Sequence, residues 1–149
     1  MREKSSAKGF SLIELLDVVG VILILASIAV PNFLKARRSA NEAAAVASLK
    51  AIGSGQLAYR SSQGDFVTLD ILKQEQIIDD VLGSGYKSGY NFSSSAGTTP
   101  SLEFTATAEP AVSTGITATG TRFFFVNQDQ VIRCSTGSSA DANSSPLQN

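Results

Sequence analysis

By hydrophobic pattern the chain falls into three stretches. The first, Lys8 to Phe33, reads KGFSLIELLDVVGVILILASIAVPNF and is almost continuously apolar, purest from Val18 to Val30. Phe10 to Val30 is about 20 residues, a length that just spans a bilayer as a helix. The second stretch, FLKARRSANEAAAVASLKAIGSGQLAYRSS, is rich in alanine, the strongest helix former. Within it Ala43, Val46, Leu49, Gly53 and Leu57 recur every three or four residues as one apolar stripe. Pro31 predicts a kink between the two stretches, and Ser39-x-x-Glu42 reads as a capping box that could mark a fresh start. One kinked helix over residues 10–63, stopped by Gly64, is the preferred reading. At 1.5 Å per residue it would be roughly 80 Å long. A chain of this size cannot bury such a helix, so its first half must be covered by lipid or by copies of itself.

The third stretch, residues 64–149, changes period. TLDILKQEQIIDDVLGSG places Leu69, Leu72, Ile78, Val81 and Leu82 at helical spacing, which predicts one short amphipathic helix. Asp79 and Asp80 would lie in its last turn, where they oppose the helix dipole. Strand-like runs follow: YKSGYNFSS, SLEFTATA and TRFFFVNQDQVIRCS. In the second, Leu102, Phe104 and Ala106 alternate with Glu103, Thr105 and Thr107, the first set predicted inward. The third splits into Arg122–Val126 and Gln130–Cys134 around a turn at Asn127-Gln128-Asp129. An antiparallel sheet of about four strands packed on the long helix gives an α+β fold. The tail STGSSADANSSPLQN is of low complexity and reads as mobile.

Charge sharpens the first stretch. It carries Glu14 and Asp17, and a carboxylate in mid-membrane costs about 2.5–3.5 kcal/mol on insertion scales. A secretory signal cut after Ser27-Ile28-Ala29 and a plain anchor both fit the basic start and apolar run, but neither accounts for Glu14. Flanking bases do not orient the span: Arg2, Lys4 and Lys8 stand on one side, Lys35, Arg37 and Arg38 on the other. The last three read either as interfacial anchors or as partners in bridges between subunits.

Composition removes several functions. The 149 residues carry a net charge of −1, with no histidine and one cysteine, Cys134. Histidine-based triads, histidine-containing zinc sites and internal disulfides are excluded. No cofactor and no metal site is predicted. Beyond residue 64 the bases are Lys73, Lys87, Arg122 and Arg133, too few for a nucleic-acid surface.

GFSLIELL followed by VP, after a short basic leader ending in Gly9, resembles the type IV prepilin signature. The likeness is firm over residues 8–33. It is looser in SANEAAAVASLKAI, in the GY-x-F near residue 90 and in the RFFFV and VIR runs, which are similar to bacterial major pilins. It implies a leader of residues 1–9 cut between Gly9 and Phe10 by a prepilin peptidase, which then N-methylates Phe10. It implies residues 10–30 as a transmembrane segment and filament core, and residues 64–149 as a globular head. It also explains Glu14. Cleavage leaves an amine on Phe10, and the carboxylate of a neighbouring subunit can neutralise it, fixing axial register. Asp17 departs from the family pattern, as do Leu23, where a helix-loosening glycine is usual, and the lone Cys134. Two readings of Asp17 are open: a second contact with the amine or a base of a neighbour, or a bystander that is protonated or reaches the headgroups.

The resemblance thus implies a structural subunit rather than an enzyme. It would be the main component of a type IV pilus, a homopolymer serving motility, adhesion or DNA uptake. Its other partners would be the peptidase, the inner-membrane assembly machinery and lipid. It would cross the inner membrane once, N-terminus cytoplasmic, before joining an extracellular filament. The competing expectations are a major pseudopilin of a type II secretion system and, from another class, a filament-borne adhesin or DNA-binding minor pilin.

Overall fold

A computed structural model describes residues 9–148. Arg2, Lys4 and Lys8, in the stretch expected to be a leader, lie outside the described range. The chain forms two compact units, Met1–Lys35 and Ala36–Asn149. A single helix, α1 (Leu12–Gln63), contributes to both, with Pro31 inside it. Helical geometry passes straight through Ser39 and Glu42, so no new helix starts there and the expected capping box does not form. α1 ends where Gly64 takes φ +91° and its N–H bonds the Arg60 carbonyl at 2.8 Å. Left-handed backbone of this kind costs a Cβ-bearing residue energy, and glycine escapes that cost.

In the second unit α1 packs on a six-stranded antiparallel meander, so the α+β architecture holds with two more strands than expected. The strands are β1 (Tyr86–Lys87), β2 (Tyr90–Ala96), β3 (Phe104–Pro110), β4 (Arg122–Asn127), β5 (Arg133–Thr136) and β6 (Ser145–Pro146), each paired with its sequence neighbour. One additional strand comes from YKSGYNFSS. Ser88 and Gly89 both take positive φ, +50° and +76°, and fold the run into a two-residue hairpin between β1 and β2. The other comes from the tail. Ser145 pairs with Cys134, the Leu147 N–H reaches the Ile132 carbonyl at 2.8 Å, and Ala140 is buried. The stretch expected to be mobile thus contains a short paired edge strand. Low complexity removed hydrophobic periodicity, but edge pairing needs only backbone.

Cross-strand rows explain how the helix fits. On the face toward α1, Phe92, Ala108, Phe124 and Cys134 lie side by side across β2 to β5, and Ser94, Ala106 and Val126 form the next row. Small residues on β3 alternate with large ones on its neighbours and make room for Leu49 and Ile52, both fully buried. The helix buries Glu42, Ala45, Ser48, Leu49, Ile52, Gly53 and Gln56, while Ala43 and Leu57 of the expected stripe are exposed. Leu102, expected inward, is also exposed, because β3 begins only at Phe104. The strand expected from Gln130 begins at Arg133, since Gln130 takes φ +59° and leaves the ladder.

The expected helix over residues 69–82 is two short ones, α2 (Leu69–Gln74) and α3 (Asp80–Gly83), separated where Gln76 takes φ +55°. Asp79 is accordingly not in a last turn. It is the N-cap of α3, accepting the Leu82 N–H, and it pairs with Lys87 at 3.1 Å. An acid that is unfavourable at one helix end is favourable at the other. Gln56 is fully buried but satisfied: its amide donates to the Val67 carbonyl and Ser94 Oγ and accepts the Val67 N–H.

Candidate functional site

Residues 9–35 contain no buried side chain. Phe10 is 87% exposed, Leu12 83% and Phe33 67%, and the aliphatic residues between them are exposed as well. Singly exposed apolar residues need no explanation, but a whole helix of them marks an interaction surface. Among the polar residues of this stretch, Ser27 has its hydroxyl satisfied by donating to the Ile24 carbonyl at 2.7 Å. A polar group so closed off can enter an apolar medium at little cost.

Gly9 and Phe10 stand before the first helical turn, on exposed non-helical backbone, and a Cβ added to Gly9 would meet nothing within 4 Å. Ser11 precedes the helix, and Glu14 Oε2 accepts its N–H at 2.9 Å. Ser11-x-x-Glu14 therefore supplies the carboxylate half of a capping box, the motif expected at residues 39–42. That side chain therefore satisfies an orphan donor of its own helix. Its other oxygen makes no hydrogen bond among the described residues. Asp17, one turn further on, is exposed and makes neither hydrogen bond nor ion pair among the described residues. Pro31 is likewise exposed.

Within the second unit three polar residues of α1, which the apolar pattern did not single out, clamp the β3–β4 connection. Arg38 donates through Nε to the Ala118 carbonyl at 3.2 Å and through Nη2 to the Gly115 and Ile116 carbonyls, both at 3.0 Å. Asn41 donates to the Thr119 carbonyl at 2.9 Å. Glu42 Oε1 accepts the Thr121 N–H at 2.9 Å and its hydroxyl at 3.0 Å, and Oε2 meets Arg122 Nε at 2.7 Å. Burial raises the Glu42 pKa, but the Thr121 and Arg122 hydrogen bonds outweigh it and hold the carboxyl below its ordinary range. Tyr90 Oη donates to the Arg122 carbonyl at 2.9 Å, and burial, with the Glu42 charge beside it, pushes the phenol well above its usual value. The detectable signal was spacing: polar residues at 38, 41 and 42 share one helix face inside an alanine-rich run. Arg38 is thus engaged within its own chain, whereas Lys35 and Arg37 are exposed and have no ion pair among the described residues.

No family model matches the chain. Two curated proteins do, both through part of their length. The type IV wide pilus major component PilA4 of Thermus thermophilus is 52% identical over 44 residues, 30% of this chain and 34% of that protein. The type IV major pilin protein PilA of Myxococcus xanthus is 43% identical over 56 residues, 38% of this chain and 26% of that protein. The chain thus spans between about a quarter and a third of the length of the curated relatives it matches. The N-terminal part of this chain, with its signature and the apolar helix that carries it, is thus similar to that of two type IV major pilins.

Proposed function

We propose that the chain is the major structural subunit of a type IV pilus. A prepilin peptidase cuts it between Gly9 and Phe10 and methylates the new Phe10 amine. The mature subunit rests in the inner membrane by residues 10–30 and then polymerises through that helix into a surface filament. The observation that carries this reading is the helix over residues 12–35, apolar along its length, buried nowhere, and bearing Glu14 one turn from the cut. Apolar area contributes about 25 cal/mol per Å² when removed from water, so such a surface remains covered at every stage, first by lipid and then by other copies. Glu14 makes the second environment preferable to the first. In lipid its charge has no partner, whereas in a bundle the amine of a neighbour neutralises it. The chain has no catalytic role in this scheme; the bond-making and bond-breaking belong to the peptidase.

The test is the intact mass of protein sheared from the surface of cells that produce it. The expected species begins at methylated Phe10. A species beginning at Val30 would restore the secretory-signal reading and overturn this one.

A further inference from the structure

We propose that the β3–β4 connection is a membrane-contact surface: while the subunit rests in the inner membrane, Ile116 and Val112 sit at the boundary between lipid headgroups and acyl chains. This rests on the membrane stage of the function proposed above and adds the part of the head that meets the lipid. Ile116 is 77% exposed, the most exposed large apolar side chain among the described residues beyond residue 35, and Val112 in the same connection is 40% exposed. One exposed isoleucine on a protein surface needs no explanation. What singles this one out is the backbone around it. Arg38 donates to the carbonyls of Gly115, Ile116 and Ala118. The Thr119 N–H donates to the Val112 carbonyl at 2.8 Å, and the Thr119 hydroxyl accepts the Val112 N–H at 3.2 Å. In water such groups would be hydrated without help. In the water-poor interface of a bilayer an unpaired carbonyl is costly, so a loop that enters it must bring its own donors.

Charge points the same way. Residues 110–121, PAVSTGITATGT, carry no acid and no base. Acids gather instead in residues 65–80, at Asp65, Asp70, Glu75, Asp79 and Asp80. Next to Arg38 in the chain, Arg37 is exposed and makes no ion pair among the described residues. An uncharged apolar loop whose anchor adjoins an available guanidinium suits an anionic lipid surface, where a base is attracted and an acid repelled. Chain length brings the two within reach. Arg38 is five residues past Phe33, which closes the apolar stretch; that is about 7.5 Å of helix, and at most about 18 Å however the chain bends. The interfacial layer of a bilayer is itself about 5–8 Å deep on each side. The connection that Arg38 holds is therefore tethered close to the membrane surface, by a bound that depends on chain length alone.

The full chain, reconstituted in vesicles of phosphatidylethanolamine and phosphatidylglycerol, tests the contact. Ile116→Cys, on a Cys134→Ser background, takes an environment-sensitive fluorophore at an exposed position. Leu102→Cys, at a site 58% exposed, is the control: it lies on the β2–β3 connection, beyond the C-terminal end of α1, where the Phe66 N–H meets the Pro100 carbonyl. Aqueous iodide should quench the label at 116 less than the label at 102, by about threefold or more, and nitroxides carried on the lipid near the headgroups should quench it more, by a similar factor. Equal quenching at the two sites, with the chain floating with the vesicles, overturns the contact and leaves the pilus reading standing. Shielding at 116 that disappears as the chain is diluted in lipid, with no quenching by the lipid nitroxides, would assign the loop to a second copy, and likewise overturns it. With the label moved to Val112→Cys, Ile116→Asp should raise iodide access about twofold or more, and unchanged access would overturn the role of Ile116. A chain that does not float with the vesicles at all would remove the membrane stage itself, and the contact with it.

Discussion

Glu42→Ala should destabilise the head substantially. The carboxylate is 9% exposed and accepts from Thr121 twice and from Arg122 at 2.7 Å. Removing one member of a buried ion pair costs about 3–5 kcal/mol, chiefly because the survivor is stranded. Here the survivor is only partly stranded, since Arg122 is 39% exposed and regains water. The Thr121 N–H and hydroxyl lose their acceptor, at about 1 kcal/mol each. A cost of about 2–3 kcal/mol follows, which lowers the melting temperature of a domain this size by about 10 °C. A soluble fragment spanning residues 36–149, followed by circular dichroism on heating, is the assay. The pH dependence has a definite sign. Glu42 has a lowered pKa when folded, so its stabilisation is present above its ordinary value of 4.5 and is lost as pH falls through the lower folded value. Wild type should therefore lose stability on acidification below about pH 4.5, and Glu42→Gln should show a weaker acid dependence over that window. A Glu42→Ala head melting within about 2 °C of wild type at neutral pH would refute the reasoning, showing Arg38 and Asn41 sufficient to hold the connection.

Two further outcomes are expected. Glu14→Val should insert into membrane at least as well as wild type, by up to about 3 kcal/mol, and yet give no surface filaments; Glu14→Gln separates the two tasks of that side chain, because it keeps an acceptor for the Ser11 N–H but no charge, and normal filaments from it would reduce Glu14 to a helix cap. Gly120→Ala should lower the melting temperature of the head by about 5–10 °C, since its Cβ would strike Tyr90 Oη, which is fixed by its bond to the Arg122 carbonyl, and overpacking typically costs about 1–3 kcal/mol; a variant as stable as wild type would mean that Tyr90 moves aside freely.

Most of the architecture was readable from periodicity, and the misreadings share a cause. Leu69, Leu72, Ile78 and Leu82 are all buried, as their spacing suggested. What spacing could not report was the left-handed Gln76 between them, because nothing about a glutamine demands positive φ. The same blindness merged β1 with β2 at Ser88-Gly89 and began β5 too early at Gln130. The helix stripe was displaced by about one residue because alanine and serine bury as readily as valine when a β-sheet lies close. Glu42, Ser48 and Gln56 face the core, and exposed Ala43 and Leu57 do not. At the candidate site the residue types were legible, since a carboxylate inside an apolar run is conspicuous. Its local partner was not: the Ser11–Glu14 bond emerges only once the helix start is located.

The clamp on the β3–β4 connection also bears on how the head folds. Every strand pairs with its sequence neighbour, so the meander can zip from local hairpins that cost little loop entropy. The bonds from Arg38, Asn41 and Glu42 join residues 77–80 positions apart, the longest closures among the hydrogen bonds described. Such contacts close the largest loops and are expected to form after the local hairpins. Interactions absent from the transition state govern the unfolding rate and leave the folding rate nearly unchanged. Glu42→Ala should thus accelerate unfolding by about the full factor that its free-energy cost implies, roughly 30- to 150-fold for about 2–3 kcal/mol, while refolding proceeds at the wild-type rate. The clamp is then a source of kinetic persistence, holding the helix to the β3–β4 connection for as long as unfolding is slow.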